Sequence, residues 1–213
     1  MRLSDFKTIL RSEFADRISI DDVFLRECQI ISSDYLEISR EEYFFNADTT
    51  ILSQEQAEYL LKLIRRRVSG EPVSHIINKR QFYGLDFYVD SNVLDPRPDS
   101  EILVAETIAI AKYLDSDLSM LELGVGSGCL SIAIALNCNN IRKVTACDIN
   151  PKSLEVCKKN VYDHKLMDRF NLLKSDLFAN ISSDNKFDII ISNPPYIKSK
   201  DIEQLQIEVK DHE

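Results

Sequence analysis

The sequence predicts an α/β protein in which a helical bundle precedes a doubly wound parallel sheet. Three observations carry that prediction. An apolar stripe at helical spacing runs through residues 53–69. From Met120 onward, short apolar runs alternate with helical segments, the rhythm of strand–helix–strand units. Three of the 5 glycines fall within residues 124–128, between one such run and the helix that follows.

In chain order, residues 1 to about 70 carry helical signals and no strand pattern of any length. The clearest segment is 53–69. Ser53 and Gln56 fit a capping box, in which a hydroxyl and an amide satisfy free N–H groups at the helix start. Ala57, Leu60, Leu61, Ile64 and Val68 follow as one continuous stripe, and Gly70 suits a C-cap. Residues 21–31 and 39–45 are further expected helices. The stripes are expected to face one another in a small bundle.

Residues 82–89 are aromatic and β-branched with Gly84 as a turn, which predicts a hairpin. The stretch Asp95-Pro96-Arg97-Pro98-Asp99-Ser100-Glu101 is a rigid approach to a helix, because two prolines hold the backbone extended. Asp99 or Ser100 is expected to cap that helix, which runs to about Tyr113. Strands are then expected at 120–123, 143–148, 170–174 and 187–191. An apolar helix occupies 129–136. Another starts at Asn150 and Pro151, with Leu154, Cys157 and Val161 on its inner side. This rhythm predicts a parallel sheet covered on both faces. Residues 202–209 are expected to add one helical segment. The run 187–191 is an apolar last strand without a later partner, so the sheet is expected to be incomplete. Either something else covers that strand, or the chain is a fragment.

Composition bounds the function. The chain has 213 residues, is 44% hydrophobic and 29% charged, and has a net charge of -9, an ordinary globular balance. No run approaches the apolar length of a membrane helix, and the N-terminus lacks the apolar core of a signal peptide, so no membrane association and a cytoplasmic location are expected. The acidic charge argues against wrapping nucleic acid. Arg65-Arg66-Arg67 and Lys79-Arg80 are the dense basic candidates, read as solvated helix face. The 5 cysteines form no C-x-x-C pair and the 3 histidines are scattered, so packing thiols and no metal site are expected.

The chemistry is expected at two turns. Glu122-Leu123-Gly124-Val125-Gly126-Ser127-Gly128 is a loop whose glycines let backbone approach a bound nucleotide closely. Its G-x-G-x-G spacing differs from the G-x-G-x-x-G of dinucleotide binders, and by itself fits any Rossmann nucleotide binder. Glu122 is placed to meet a cationic group rather than a pyrophosphate. Asp148 ends the next strand, where an acid accepts hydrogen bonds from ribose hydroxyls. Asp176, after the third strand, is a weaker candidate for the base of the ligand. The second turn is Ser192-Asn193-Pro194-Pro195-Tyr196. Consecutive prolines stop the strand and make a rigid turn at its carboxyl end. Such a turn suits a planar nitrogen with a delocalised lone pair. Carboxamide and carbonyl acceptors bind its N–H bonds and aim it at an electrophilic methyl, while Tyr196 stacks on the plane.

These motifs resemble those of S-adenosylmethionine-dependent methyltransferases of the Rossmann class, and within it the HemK/PrmC family of release factor glutamine methyltransferases. The resemblance spans the helical first part, Glu71-Pro72, Phe82-Tyr83-Gly84, Pro96-Arg97-Pro98-Asp99-Ser100-Glu101, the glycine loop and Asn193-Pro194-Pro195-Tyr196. It implies an N-terminal helical bundle plus a doubly wound Rossmann-like methyltransferase domain. It divides the chain into a substrate-recognition domain at 1–75, a hairpin linker at 76–95 and a cofactor-binding domain at 96–213. It implies S-adenosyl-L-methionine held by Glu122, Gly124, Gly126, Gly128, Asp148, Asp176 and Asn193. It implies peptide chain release factors as partners, with the glutamine held by Asn193, Pro194, Pro195, Tyr196 and Arg97, the first four acting catalytically. Departures are His75 where the family has Tyr, Asn78 where it has Gly, Glu122 where it has Asp, and an end at Glu213 where the family continues for several more strands after a Glu-Pro pair, which implies a truncated or split version or the front part of a longer chain. Two other readings stand beside this one: an N6-adenine nucleic-acid methyltransferase, which shares the Asn-Pro-Pro-Tyr turn, and an inactive fragment that retains only release-factor binding.

Overall fold

Capped helix ends and left-handed turns set most of the element boundaries in the computed structural model, which describes residues 1–14, 22–114 and 116–194. Two compact units divide between Ile77 and Asn78.

The first unit is helical: α1 (Leu3–Glu13), α2 (Asp22–Tyr35), α3 (Arg40–Phe45), α4 (Gln54–Val68) and α5 (Val73–Ile77). The Ser53 box forms as expected. Gln56 N donates to Ser53 Oγ at 3.0 Å, and Ser53 N donates to Gln56 Oε1 at 2.9 Å. Ser39 and Glu42 repeat the device at α3. Gly70, with φ 103°, follows α4 in the left-handed conformation that ends a helix. Ala57, Leu60 and Ile64 of α4 enter a core with Leu3, Phe6 and Leu10 of α1, Phe24 and Cys28 of α2, and Tyr43 of α3, while Leu61 and Val68 lie at its margin. The sequence reading did not anticipate α1 or α5. The basic run on α4 is neutralised: Arg65 pairs with Glu13, Arg66 with Glu71 and Arg67 with Glu27.

The second unit opens at Asn78, which has φ 55° and donates from Nδ2 to the Val89 carbonyl. Asparagine is among the few side chains that tolerate this conformation, so it serves where the resembling family carries glycine. The hairpin pairs β1 (Arg80–Phe82) with β2 (Leu85–Phe87). Its two-residue turn has positive φ at both Tyr83 and Gly84, as a tight hairpin turn requires. Arg80 bonds Asp95 and the Pro96 carbonyl, and Tyr83 N donates to Glu101 Oε1 at 2.8 Å. The hairpin thus clamps the proline stretch. A 3-10 turn, Pro98–Ser100, leads into α6 (Glu101–Leu114) in place of the expected side-chain cap.

The sheet strands are β3 (Leu118–Leu123), β4 (Ile141–Asp148), β5 (Phe170–Lys174) and β6 (Ile189–Ser192). They pair in the order β5-β4-β3-β6, all parallel. The order reverses beside β3, so β3 and β6 flank the switch point of a doubly wound sheet. Helix α7 (Cys129–Asn137) links β3 to β4, and α8 (Pro151–Asp163) links β4 to β5. Met120, Val144, Ala146 and Ile191 on one face share a core with Val104 and Ile108 of α6, Ile132 and Ala133 of α7, and Cys157 and Val161 of α8.

The opposite face differs from expectation. Leu121, Leu123 and Cys147 there meet Leu173, Ile181 and Phe187, and Ile190 is 53% exposed. Residues 175–188 form turns rather than a crossover helix, so helices cover one face among the described residues. The strand at 187–191 begins at Ile189. Asp188 is held just before it, accepting from Ser119 N at 2.7 Å. The segment expected at 202–209 lies outside the described residues.

One buried polar side chain ties these parts together. Asn160 of α8, 1% exposed, accepts from Tyr88 N at 2.8 Å and donates to the carbonyls of Tyr88 and Ser127 at 2.9 and 2.8 Å. Replacing it by alanine strands three backbone groups. Asn160→Ala is therefore expected to lower the unfolding free energy by about 3 kcal/mol or more. Urea denaturation measures this, and an unchanged midpoint refutes it.

Candidate functional site

The loop after β3 takes its shape from its glycines. Gly124, Gly126 and Gly128 have φ of 70°, 53° and 80°. Gly124 N and Val125 N both donate to the Cys147 carbonyl, at 2.9 and 3.0 Å, and Gly126 N donates to Asp148 Oδ2 at 3.0 Å. The Ser127 carbonyl is taken by Asn160. One side of the loop is closed: a Cβ on Gly128 would stand 2.8 Å from Cys157 Sγ. The other side is open, since a Cβ on Gly124 or Gly126 would meet nothing within 4 Å. The loop is a cradle lined by backbone, at the carboxyl end of β3.

Two acids brace it. Asp148 ends β4. Its Oδ2 holds Gly126 N, and its Oδ1 accepts from Asn150 N at 2.9 Å. Both oxygens retain acceptor capacity. Glu122 is 1% exposed and accepts from Ser131 N, in the first turn of α7, at 3.2 Å. Burial pushes its carboxyl up to about 8, and the neighbouring Asp148 adds to the rise. Glu122 therefore lies beneath the loop and braces the start of α7. Asp176 follows β5 and is exposed. Ser175 N beside it donates to the Asp148 carbonyl at 3.0 Å. Cys129 is a packing thiol, pushed up to about 12 by burial.

The second turn stands beside this cradle. Ser192 pairs with Leu123, and its hydroxyl donates to the Leu123 carbonyl at 2.9 Å. Asn193 is half-buried and donates from Nδ2 to Ser100 Oγ at 3.2 Å. Pro194 is exposed. Pro195 and Tyr196 lie outside the described residues. Arg97 is half-buried, and its carbonyl accepts from Ser100 N at 3.0 Å. The structure thus gathers Glu122, the three glycines, Asp148 and Asn193 at the carboxyl ends of β3, β4 and β6, the crevice where open α/β sheets bind ligands. Reading the sequence for function had missed Ser100 as a partner of Asn193, Ser131 as a partner of Glu122, and Asn160 as a brace of the loop. Only Ser100 had a signal, its place inside the proline motif. A backbone cradle edged by the Asp148 carboxylate suits a ligand with hydroxyls and disfavours a pyrophosphate, whereas Glu122, sealed beneath the loop, does not face the ligand side as the sequence suggested.

The family described as methyltransferase small domain matches residues 100–209, just over half of the chain, and the PrmC N-terminal domain matches residues 22–77. A release factor glutamine methyltransferase of Rhodopirellula baltica is 42% identical over 163 residues, 75% of this chain and 55% of that protein. One of Fusobacterium nucleatum is 33% identical over 191 residues, 89% of this chain and 52% of that protein. One of Agrobacterium fabrum is 32% identical over 192 residues, 89% of this chain and 65% of that protein. The chain thus spans between 52% and 65% of the length of these relatives.

The buried Glu122 makes stability depend on pH. An unfolded glutamate ionises near 4.5, whereas the folded one holds its proton up to about 8. The folded state binds the extra proton between those values, so this group's contribution to stability falls as pH rises through that window. Glu122→Gln keeps an acceptor for Ser131 N and removes the ionisation. Its melting temperature is expected to match the parent's near pH 4.5 and to exceed it increasingly up to pH 8. Parallel melting curves across that range refute the assignment.

Proposed function

The chain belongs to the methyltransferase small domain family, and from that premise we propose that it transfers a methyl group from S-adenosyl-L-methionine to the side-chain amide nitrogen of a glutamine in a peptide chain release factor. The observation that carries the reading is the Asn193 carboxamide, held at the end of β6 beside the open glycine cradle. The names of the similar proteins and the PrmC N-terminal domain support the substrate.

The cofactor fits the residues present. The open side of Gly124 and Gly126 leaves room for it, and Asp148 has free acceptor capacity for ribose hydroxyls. Asp176 is a candidate partner for its base, and Glu122 braces the loop from below. When bound, it supplies an electrophilic methyl on a positively charged sulfur.

Asn193 does the orienting. An amide nitrogen is a weak nucleophile because its lone pair is delocalised into the carbonyl. Asn193 Oδ1, with the main-chain carbonyl of Pro194, accepts the substrate's N–H bonds and fixes the plane of the amide. As positive charge grows on that nitrogen, the same acceptors stabilise it. Neither acceptor is a strong base, so the displaced proton passes to water after the nitrogen is alkylated. Pro195 and Tyr196 complete the turn in this reading, with Tyr196 stacking on the amide. Arg97 is assigned to the substrate side, and the helical unit to recognition of the release factor. The carboxylate pairing of Arg65, Arg66 and Arg67 supports a protein over a nucleic acid as substrate. The proposed setting is the cytoplasm, which suits the free, buried cysteines.

Incubation with methyl-labelled cofactor and a release factor is expected to label a glutamine side chain. No label on the factor, while the Rhodopirellula baltica relative labels it in parallel, overturns the reading. Asn193→Ala is expected to slow transfer about 10²–10³-fold and leave cofactor affinity intact. Asp148→Ala is expected to do the reverse, raising the cofactor dissociation constant about tenfold or more, since it frees Gly126 N as well as a ligand contact. Titration calorimetry separates the two, and equal loss of affinity in both variants refutes the roles.

A further inference from the structure

We propose that Ser100 is a positioning residue for Asn193, pairing the carboxamide nitrogen in the orientation in which Oδ1 faces the substrate amide. The inference rests on the glutamine reading above and names a residue that reading did not need.

The contact is direct. Asn193 Nδ2 donates to Ser100 Oγ at 3.2 Å across 93 residues of sequence. Oδ1 accepts no hydrogen bond among the described residues, so it is the free end of the group. Rotation about the last side-chain torsion of asparagine is broad and roughly two-fold, so an untethered carboxamide presents oxygen and nitrogen in turn. Only the oxygen accepts a substrate N–H. The nitrogen would set donor against donor.

A serine hydroxyl accepts as well as donates, so Ser100 does not choose between the two orientations by itself. The substrate's N–H chooses. What Ser100 supplies is a partner for Nδ2 in the productive orientation, where a half-buried N–H would otherwise go unpaired.

Ser100 is itself held on several sides. Its N–H is bonded to the Arg97 carbonyl at 3.0 Å. Glu101 beside it accepts from Tyr83 N at 2.8 Å in the hairpin turn. Arg80 grips Asp95 and Pro96 just upstream. The proline stretch therefore acts as a rigid arm that presents one hydroxyl to Asn193.

The test compares Ser100→Ala and Ser100→Thr with the parent chain. Ser100→Ala is expected to lower kcat about tenfold with cofactor affinity unchanged, as loss of one hydrogen bond implies, and Ser100→Thr to restore it. In the Asn193→Ala background, Ser100→Ala is expected to have no further effect. A second readout needs no turnover. In the nitrogen-15-labelled chain, the side-chain NH2 of Asn193 is expected to exchange hydrogen several-fold faster in Ser100→Ala and at the parent rate in Ser100→Thr. Equal exchange in all three overturns the proposal whether or not the chain methylates a release factor. Equal kcat in an active parent and Ser100→Ala overturns it as well. An inactive parent beside an active relative instead removes the glutamine reading and leaves the exchange measurement to judge Ser100.

Discussion

The last two residues of β4 hold the glycine loop, and the site depends on that grip. The Cys147 carbonyl takes two loop N–H groups and the Asp148 carboxylate takes a third. With three successive donors, Gly124 to Gly126, turned toward β4, the other side of the loop is left bare. Glycine at each turn lets the backbone reach this shape, and among the described residues nothing lies within 4 Å of where a Cβ on Gly124 or Gly126 would stand. Asn160 and Glu122 secure the loop and the helix after it, so the cradle is rigid before any ligand arrives. Rigidity of this kind lowers the ordering cost of binding.

The second turn is set against this cradle by sheet order. Because β6 pairs with β3 rather than with β5, Asn193 emerges beside the glycine loop instead of at a distant edge. The proline stretch then reaches the same point from the other end of the unit, braced by the hairpin. Hydrogen bonds through Ser100 and Ser192 connect three segments that are remote in sequence. Positioning of this sort, rather than a strong base, is what the proposed amide nucleophile needs.

Legibility followed the kind of signal each element carries. Helix α4 showed a capping box and an unbroken stripe, and both appear in the structure. Strand β5 was read at its observed bounds, and the apolar helix α7 within a residue. Helix α1 was missed although Leu3, Phe6 and Leu10 are helically spaced, because no cap residue announced it: Arg2 stands at its N-cap. Helix α5 is too short for a periodic pattern. Buried polar braces escaped for another reason. Asn160 and Ser131 look like ordinary helix-surface residues until the backbone groups they serve are brought beside them.

By itself the sequence determined the helical first part, the strand–helix rhythm and the glycine loop. Those features arise from local sterics and near-neighbour periodicity, which sequence encodes directly. Only the tertiary structure decided that β6 lies beside β3, that helices cover one face of the sheet among the described residues, that Glu122 is sealed beneath the loop, and that Ser100 meets Asn193. Each of these joins groups dozens of residues apart. The energy of such a contact depends on burial and distance in space, and neither is written in the order of residues along the chain.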